Sequence, residues 1–521
     1  MAWTRYGAEA YDALRATVGE AKRGDPLAPM TVLVPTQLCG VATRRALAHG
    51  VGERAGVAGL SVLTVDRLAE RIAAPALVGS WRRPATGPVL AAAWRRALSE
   101  EAGVFGPVAG HRSTVRALVD AHRELREVDA AALDVIASSG EAIAADLVRL
   151  HRRVVALLAA DWYDTKDLRE TATATLAAEP ARVGEIGAVV LFLPQDLPPG
   201  AVALVQQLAA VGDVLTIAGL TGNARADAAV LRSLAWRAAE SAARPTIEPS
   251  TAHRVVHASD ADDEVRCVVR LVTERLRDMP AHRIAVLYGA AQPYARLLAE
   301  HLATAGIVSN GTGVRPTIER TLTRTLLDVL ALPDHGWRRD EVLAVLAEAP
   351  VRDADGRRVP AARWDRISRV AGVVGGDQWE TRLAWYAAQE RDAAELARTS
   401  DAPSQGLIAR RQRDADAADA LRTFVADLRE RLDAGASIGT WPQLAAWAGE
   451  TYLALVGDLD EEPWLPEDEA RAADKVQRVV SGLAGLGAIE ATADLTALRL
   501  TLELEVADDL PRRGRFGDGV L

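Results

Sequence analysis

The apolar positions of this chain change period several times, and those changes divide it. In the first 75 residues, short unbroken apolar runs alternate with stretches whose apolar residues recur every three or four positions. TVLVP (31–35) reads as a buried strand closed by Pro35, and SVLTVDRLAERI (61–72) passes from strand into helix. With a short amphipathic helix ahead of them, they predict a parallel α/β sheet. Between 81 and 180 the pattern turns helical. Val115, Leu118, Val119, His122 and Leu125 fall on one face, and no strand is predicted. Strand-type runs return at VVLFLP (189–194) and VLTIAG (214–219), separated by the helical AVALVQQLAAV. After a helix at 225–243 the alternation resumes with HRVVHAS (253–259), a helix at 260–277 and HRIAVLYG (282–289). Ser259, directly ahead of Asp260, Asp262 and Asp263, is the expected cap of that helix. From 318 onward the period is helical, broken by a polar stretch at 350–362 and by the acidic DLDEEPWLPEDEA (458–470). TALRLTLELEVA (496–507) fits helix or strand. The expected fold class is α/β, with two parallel-sheet modules, each carrying a large all-helical insertion.

Composition narrows the classes of function. The 521 residues suffice for about three or four domains of roughly 150 residues, and 49% apolar with 25% charged residues is ordinary for a globular protein. Only three of the 61 basic residues are lysines (Lys22, Lys166 and Lys475), which with the abundant alanine reads as GC-rich coding bias. A formal net charge of −10 lacks the basic footprint of a stand-alone nucleic-acid binder, while leaving room for a local basic groove. Cys39 and Cys267 are too few for a cysteine-only zinc or iron–sulfur site and fit a reducing compartment. The charged, amphipathic start is not expected to be a signal peptide, and no apolar run reaches the roughly 18 residues of a bilayer span. The expected location is cytoplasmic, with no membrane partner. The chain stops at RRGRFGDGVL, on an apolar Val-Leu pair, and is expected to be the front part of a longer polypeptide.

One motif is missing. Nowhere do the residues read G-x-x-x-x-G-K-[ST], and no lysine follows a glycine. That loop cradles phosphates with backbone N–H groups and reaches the terminal ones with its lysine. Gripping a triphosphate in that way is not expected of this chain.

The order of elements resembles the UvrD-like superfamily 1 helicase architecture. In detail it resembles the AddB/RecC-type subunits of bacterial helicase–nucleases, in particular actinobacterial members of the PD-(D/E)XK nuclease family. The likeness is carried by TVLVPTQLCGVATRRALA, LSVLTVDRLAERI, VVLFLPQDLPPGAVALVQQLAAVGDVLTIAGL, SDADDEVRCVVRLVTERL with HRIAVLYGAAQPYARLLAEHLATAGI, and the terminal GRFGDGVL. It implies a first RecA-like module at 1–80 and 181–245 with a helical insertion at 81–180. A second RecA-like module would begin at 246–350, and 351–521 would be its helical insertion. The resemblance further implies double-strand-break repair or recombination, with single- or double-stranded DNA as ligand and a UvrD-like ATPase as partner subunit. Three positions depart from the family's active motors. The phosphate-loop position reads TRYGAEAYDALRATV, with Gly7 but no lysine. The Walker B strand ends Leu193-Pro194-Gln195-Asp196, with one displaced carboxylate. The arginine expected after the IAVL-type strand is Tyr288. Losing all three groups implies a motor fold kept as a scaffold, with a degenerate nucleotide site at Gly7, Asp196 and Tyr288. No cofactor is then expected in this chain, and a nuclease site with its Mg²⁺ would lie beyond Leu521.

Other motifs weigh less. Asp161, Asp164 and Lys166 (DWYDTK) imitate the D-x-K of a nuclease, but out of strand context they read as coincidence, as does Glu20-Ala21-Lys22. The acidic clusters at 260–264 and 458–469 have metal-site composition but read as a helix start and a solvated loop. His253 and His257 on a strand would stand about 13 Å apart at 3.3 Å per residue, too far to share a metal. The glycine runs near 311 and 372 read as turns. Arginine–aromatic patches are the candidate DNA contacts: Arg82, Arg83, Arg95, Arg96, Arg363, Trp364, Arg410, Arg411, Arg513, Arg515 and Phe516. Arginine grips phosphate and an aromatic ring stacks on an unpaired base; the same residues also serve as core tryptophans and surface stems. The expected function is an inactivated helicase-like DNA-guiding subunit. The rivals are an active helicase with a divergent nucleotide site and a helical scaffold without DNA.

Overall fold

The computed structural model describes residues 1–51, 56–240, 244–249, 254–311, 313–457 and 465–507. The chain forms two compact units. The first contains residues 1–86, 97–107 and 117–255, the second 87–96, 108–116 and 256–521. Among the described residues, no helix is long and apolar enough to cross a membrane. Cys39 and Cys267 are free thiols.

The first unit is built on strands β1 (Ala2–Arg5), β2 (Met30–Leu33), β3 (Leu60–Leu63), β4 (Arg83–Pro84), β5 (Trp162–Tyr163), β6 (Ala188–Phe192) and β7 (Val214–Leu220). Five of them make one parallel sheet in the order β1-β7-β6-β2-β3. Its register is set by pairs such as Val32 with Val62, Leu33 with Leu191, and Ala2 with Ile217. Side chains alternate between the two faces, as strand geometry requires. Val32, Val190, Phe192 and Ile217 pack with Ala10, Leu14 and Val18 of the Ala8–Ala21 helix and Leu47 of the Gln37–Ala48 helix. Leu33, Val189 and Leu191 pack with the helices Val65–Gly79, Thr165–Ala178 and Pro199–Val211. Both faces are covered, which is why β2 and β6 read as unbroken apolar runs.

Local chemistry sets the helix starts. Thr36, Thr64, Asp129 and Asn223 each accept a hydrogen bond from a first-turn amide. Gly187 turns the chain into β6 at φ +70°, with the Pro29 carbonyl 1.8 Å from where a Cβ would sit, so only glycine fits. Lys22 is 5% exposed, and its ammonium donates to the carbonyls of Ala28, Ala58 (2.7 Å) and Gly59 (3.2 Å). It ties the loops around β2 and β3 together.

Two expectations for this unit change. AWTR is a strand, β1, although the sequence pattern begins with a helix. The 81–180 stretch holds a two-residue parallel pair, β4 with β5, so DWYDTK does adjoin a strand.

The second unit is helical. Its longest pair is Gln378–Arg398 with Gln405–Ala436, and the ambiguous 496–507 segment is the helix Leu495–Ala507. The Ala261–Arg275 helix is capped by Asp260, which accepts from the Asp263 amide, and not by Ser259. The α/β class with large helical insertions is what the chain adopts. Within the second unit no strand is formed among the described residues. Ile284 and Val286 pack on the helices Ala261–Arg275 and Ala291–Thr304, and Leu287 is 93% exposed. The 254–258 segment is exposed. An alternating apolar pattern makes a strand only where a second extended segment offers its N–H and C=O groups, and the described neighbours of Ile284 and Val286 are mainly helical.

Candidate functional site

Open parallel sheets bind ligands outside the carboxyl ends of their strands, where consecutive connections leave in opposite directions. In the first unit that point lies between β2 and β6. The helix after β2 covers one face and leads to β3; the helix after β6 covers the other and leads to β7. Several candidate residues sit at these strand ends. Only Tyr6 and Gly7 separate β1 from its helix, whereas a phosphate loop needs eight residues. The Tyr6 ring covers the backbone of β7: a Cβ on Gly219 would meet Tyr6 carbons at 2.7 Å and Leu193 at 2.9 Å. Gly7 caps the helix at φ +97° with no side-chain hydrogen bond. Asp196 is exposed and lines an open pocket of about 600 Å³ with Glu127, Pro198, Val202 and Arg232. Tyr288 belongs to the second unit, just after the exposed Leu287.

The DWYDTK motif is an ion-pair centre. Asp164 and Asp167 form a reciprocal capping box at the start of the Thr165–Ala178 helix. Arg126 donates to both carboxylates, and Arg82 reaches Asp167 at 2.7 Å and the Trp162 carbonyl at 2.9 Å. Burial pushes the Asp164 carboxyl up, but hydrogen bonds from Arg126 and the Asp167 amide outweigh it and hold the pKa below the ordinary value. Lys166 lies 3.8 Å from Glu170 and faces neither aspartate as a partner. Beside this centre the buried rings of His122 and His151 meet Nδ1 to Nδ1 at 3.1 Å. Burial, then the neighbouring imidazole, lowers His122 to about 3; burial, then Arg126, lowers His151 to about 4. Among the described residues, no group of three His, Cys, Asp or Glu side chains is placed to hold a metal ion.

The predicted DNA contacts are mostly held by the protein itself. Arg83 is exposed, its guanidinium 4.2 Å above the Trp162 ring. Arg95 binds Glu490 at 2.7 and 2.9 Å and Thr501 at 3.0 Å, and Arg96 donates to the Ile489 carbonyl at 2.8 Å. Arg363 and Arg410 stand 3.9 and 4.0 Å from Asp414, which Arg366 holds at 2.5 Å; Arg411 pairs with Glu390 at 3.2 Å. Trp364 is 2% exposed and packs on Phe424, so it offers no face to a base, a correction to its expected role. Arg513, Arg515 and Phe516 lie outside the described residues, as do His253, Thr312 and 458–464.

The structure instead gathers arginines that the sequence reading passed over. In the second unit, Arg112, Arg315, Arg324 and Arg499 line an open groove of about 650 Å³ floored by Ile318, Leu327 and Ala331. Arg324 and Asp328 lie one turn apart on the Thr321–Ala331 helix, and Arg499 and Glu503 one turn apart on Leu495–Ala507. Glu503 is 3.1 Å from Arg112 and 3.9 Å from Arg499, so one carboxylate sits between two guanidiniums. Arg499 also meets Asp334 at 2.7 Å, and Arg324 meets Asp328 at 3.1 Å and Glu348 at 3.2 Å. Arg315 is exposed and donates to the Glu319 carbonyl at 3.0 Å. Burial raises the Asp328 carboxyl above its ordinary pKa against the pull of Arg324. None of these arginines neighbours an aromatic residue in sequence, so an arginine–aromatic pattern does not find them.

No family model matches the chain, and no curated protein matches it.

Proposed function

We propose that this chain is a DNA-binding subunit of a repair or recombination assembly, one that holds a strand and does not turn over nucleotide. The observation that carries the reading is the second unit's groove, where four guanidiniums from three separate stretches of chain converge on an open space. Guanidinium forks match phosphate geometry, and phosphate contact supplies most sequence-independent affinity. The carboxylate of Glu503 between Arg112 and Arg499 stands where a phosphate would sit, so binding exchanges one anion for another. The two-residue connection after β1 supports the non-motor part, because it leaves no backbone to wrap a triphosphate. On this reading the chain resembles an AddB/RecC-type subunit. It would act in the cytoplasm beside a UvrD-like ATPase, and Mg²⁺-dependent nuclease chemistry would belong to residues outside it.

The test is a titration of a fluorescent 20-nucleotide single strand at 50 and 200 mM salt. We expect binding that weakens steeply with salt, and a flatter salt dependence for Arg112→Ala with Arg499→Ala. No binding at 50 mM salt overturns the reading, and MgATP turnover by the chain alone overturns its non-motor part. One observation favours a second reading, a helical scaffold without DNA. Most described arginines near aromatic residues are already paired with carboxylates.

A further inference from the structure

The helix Val65–Gly79 ends in a double hydrogen-bonded cap. The Trp81 amide donates to the Val78 carbonyl at 3.1 Å, and the Arg82 amide to the Leu77 carbonyl at 3.3 Å. This is the Schellman arrangement, whose position after the cap residue is normally glycine because its backbone is left-handed. Here that position is Trp81, at φ +57°, a residue 88% exposed. A large aromatic residue in this conformation is both strained and unsupported.

The other two non-glycine residues at positive φ among those described make the contrast. Leu193 packs against the core cluster beside β6. Trp337 lies under the Arg429 guanidinium at 4.9 Å, and its carbonyl accepts the Trp379 indole N–H at 2.8 Å. Packing compensates the strain at both. At Trp81 an exposed indole offers no such compensation. Two residues further on, Arg83 presents an exposed guanidinium whose position is held by the Trp162 ring and by the β4–β5 pairing. An uncovered aromatic face beside a braced positive charge is the combination that stacks an unpaired base and holds its phosphate.

We propose that Trp81 and Arg83 form a base-stacking site for single-stranded nucleic acid, separate from the arginine groove of the second unit. This inference rests on the strand-binding reading given above. Trp81 supplies the face for a base, and Arg83 the contact to the adjoining phosphate. Arg82 positions the segment through Asp167 and the Trp162 carbonyl.

The experiment uses the full chain and two probes, a 15-nucleotide oligothymidine and an abasic oligomer of the same length. Trp81→Gly is expected to weaken oligothymidine binding about tenfold, the scale of one lost stacking contact. It should leave binding of the abasic oligomer unchanged, since that probe has no base to stack. The same variant should unfold at an equal or higher temperature than the parent, because glycine relieves the left-handed backbone. Trp81→Phe should retain most of the oligothymidine affinity. A lower unfolding temperature for Trp81→Gly would assign the indole a structural role and overturn the proposal. Unchanged oligothymidine affinity in that variant, with Arg112→Ala and Arg499→Ala still weakening it, would overturn the stacking site alone. If the parent chain binds neither probe, the strand-binding reading falls and this site with it.

Discussion

The two charged centres of this molecule use the same residue types to different ends. In the first unit Arg82, Arg126, Asp164 and Asp167 are largely enclosed, around a cavity of about 50 Å³. In the second unit Arg112, Arg324, Arg499, Asp328 and Glu503 border about 650 Å³ of open groove. An enclosed pair has no water to fall back on, so losing one partner strands the other. A pair at an open groove is screened and exchangeable, and contributes little to stability. Arginine identity therefore predicts nothing here until enclosure is known.

Several measurements would break or sharpen that contrast. The largest effect is expected at the closed centre. Arg126→Ala should destabilise the first unit by about 3 kcal/mol, because two partly buried aspartates lose a shared guanidinium. Urea unfolding followed by circular dichroism checks it, and a change under 1 kcal/mol would put the two centres in one class. At the open groove, Arg112→Ala with Arg499→Ala should cost single-strand affinity tenfold or more by titration. Unfolding free energy should shift by less than about 1 kcal/mol.

Acid should separate the centres next. His122 and His151 are held neutral in the folded unit, at about 3 and about 4 against an ordinary 6.5. Below pH 6.5 the unfolded chain binds protons that the folded chain refuses, so stability is full above that pH and falls as pH drops towards 4 and 3. His122→Gln should flatten this slope in unfolding curves recorded from pH 7 to pH 4. The smallest expected effect is Glu503→Gln, which removes the anion between Arg112 and Arg499. Strand binding should tighten about threefold, with stability nearly unchanged.

Legibility in the sequence followed the same divide between local and distant causes. The run at 31–33 is buried throughout, that at 189–194 nearly so, and 214–219 is buried except at Leu215, so their apolar continuity predicts β2, β6 and β7. AWTR is not legible as a strand because it is four residues long and pairs with residues 217–220, more than 200 positions away. HRIAVLYG has a strand pattern but is no strand among the described residues, and its Ile284 and Val286 pack on helices. At the candidate site, Asp196 and Gly7 stand at strand ends of the first unit, while Trp364, a candidate DNA contact in the sequence, lies in a core. Arg112 and Glu503, 391 positions apart, meet only because helices carry them together.

The sequence by itself determined the parallel-sheet character of the first unit, the helical character of much of the rest, and the absence of a phosphate-loop motif. Each of these is written in residues within a few turns of one another. Only the tertiary structure decided which arginines are locked to carboxylates, which line open space, and whether an apolar run would find a ladder partner. Those outcomes depend on burial and on neighbours hundreds of positions away, and a charge or a strand acquires its role from what surrounds it.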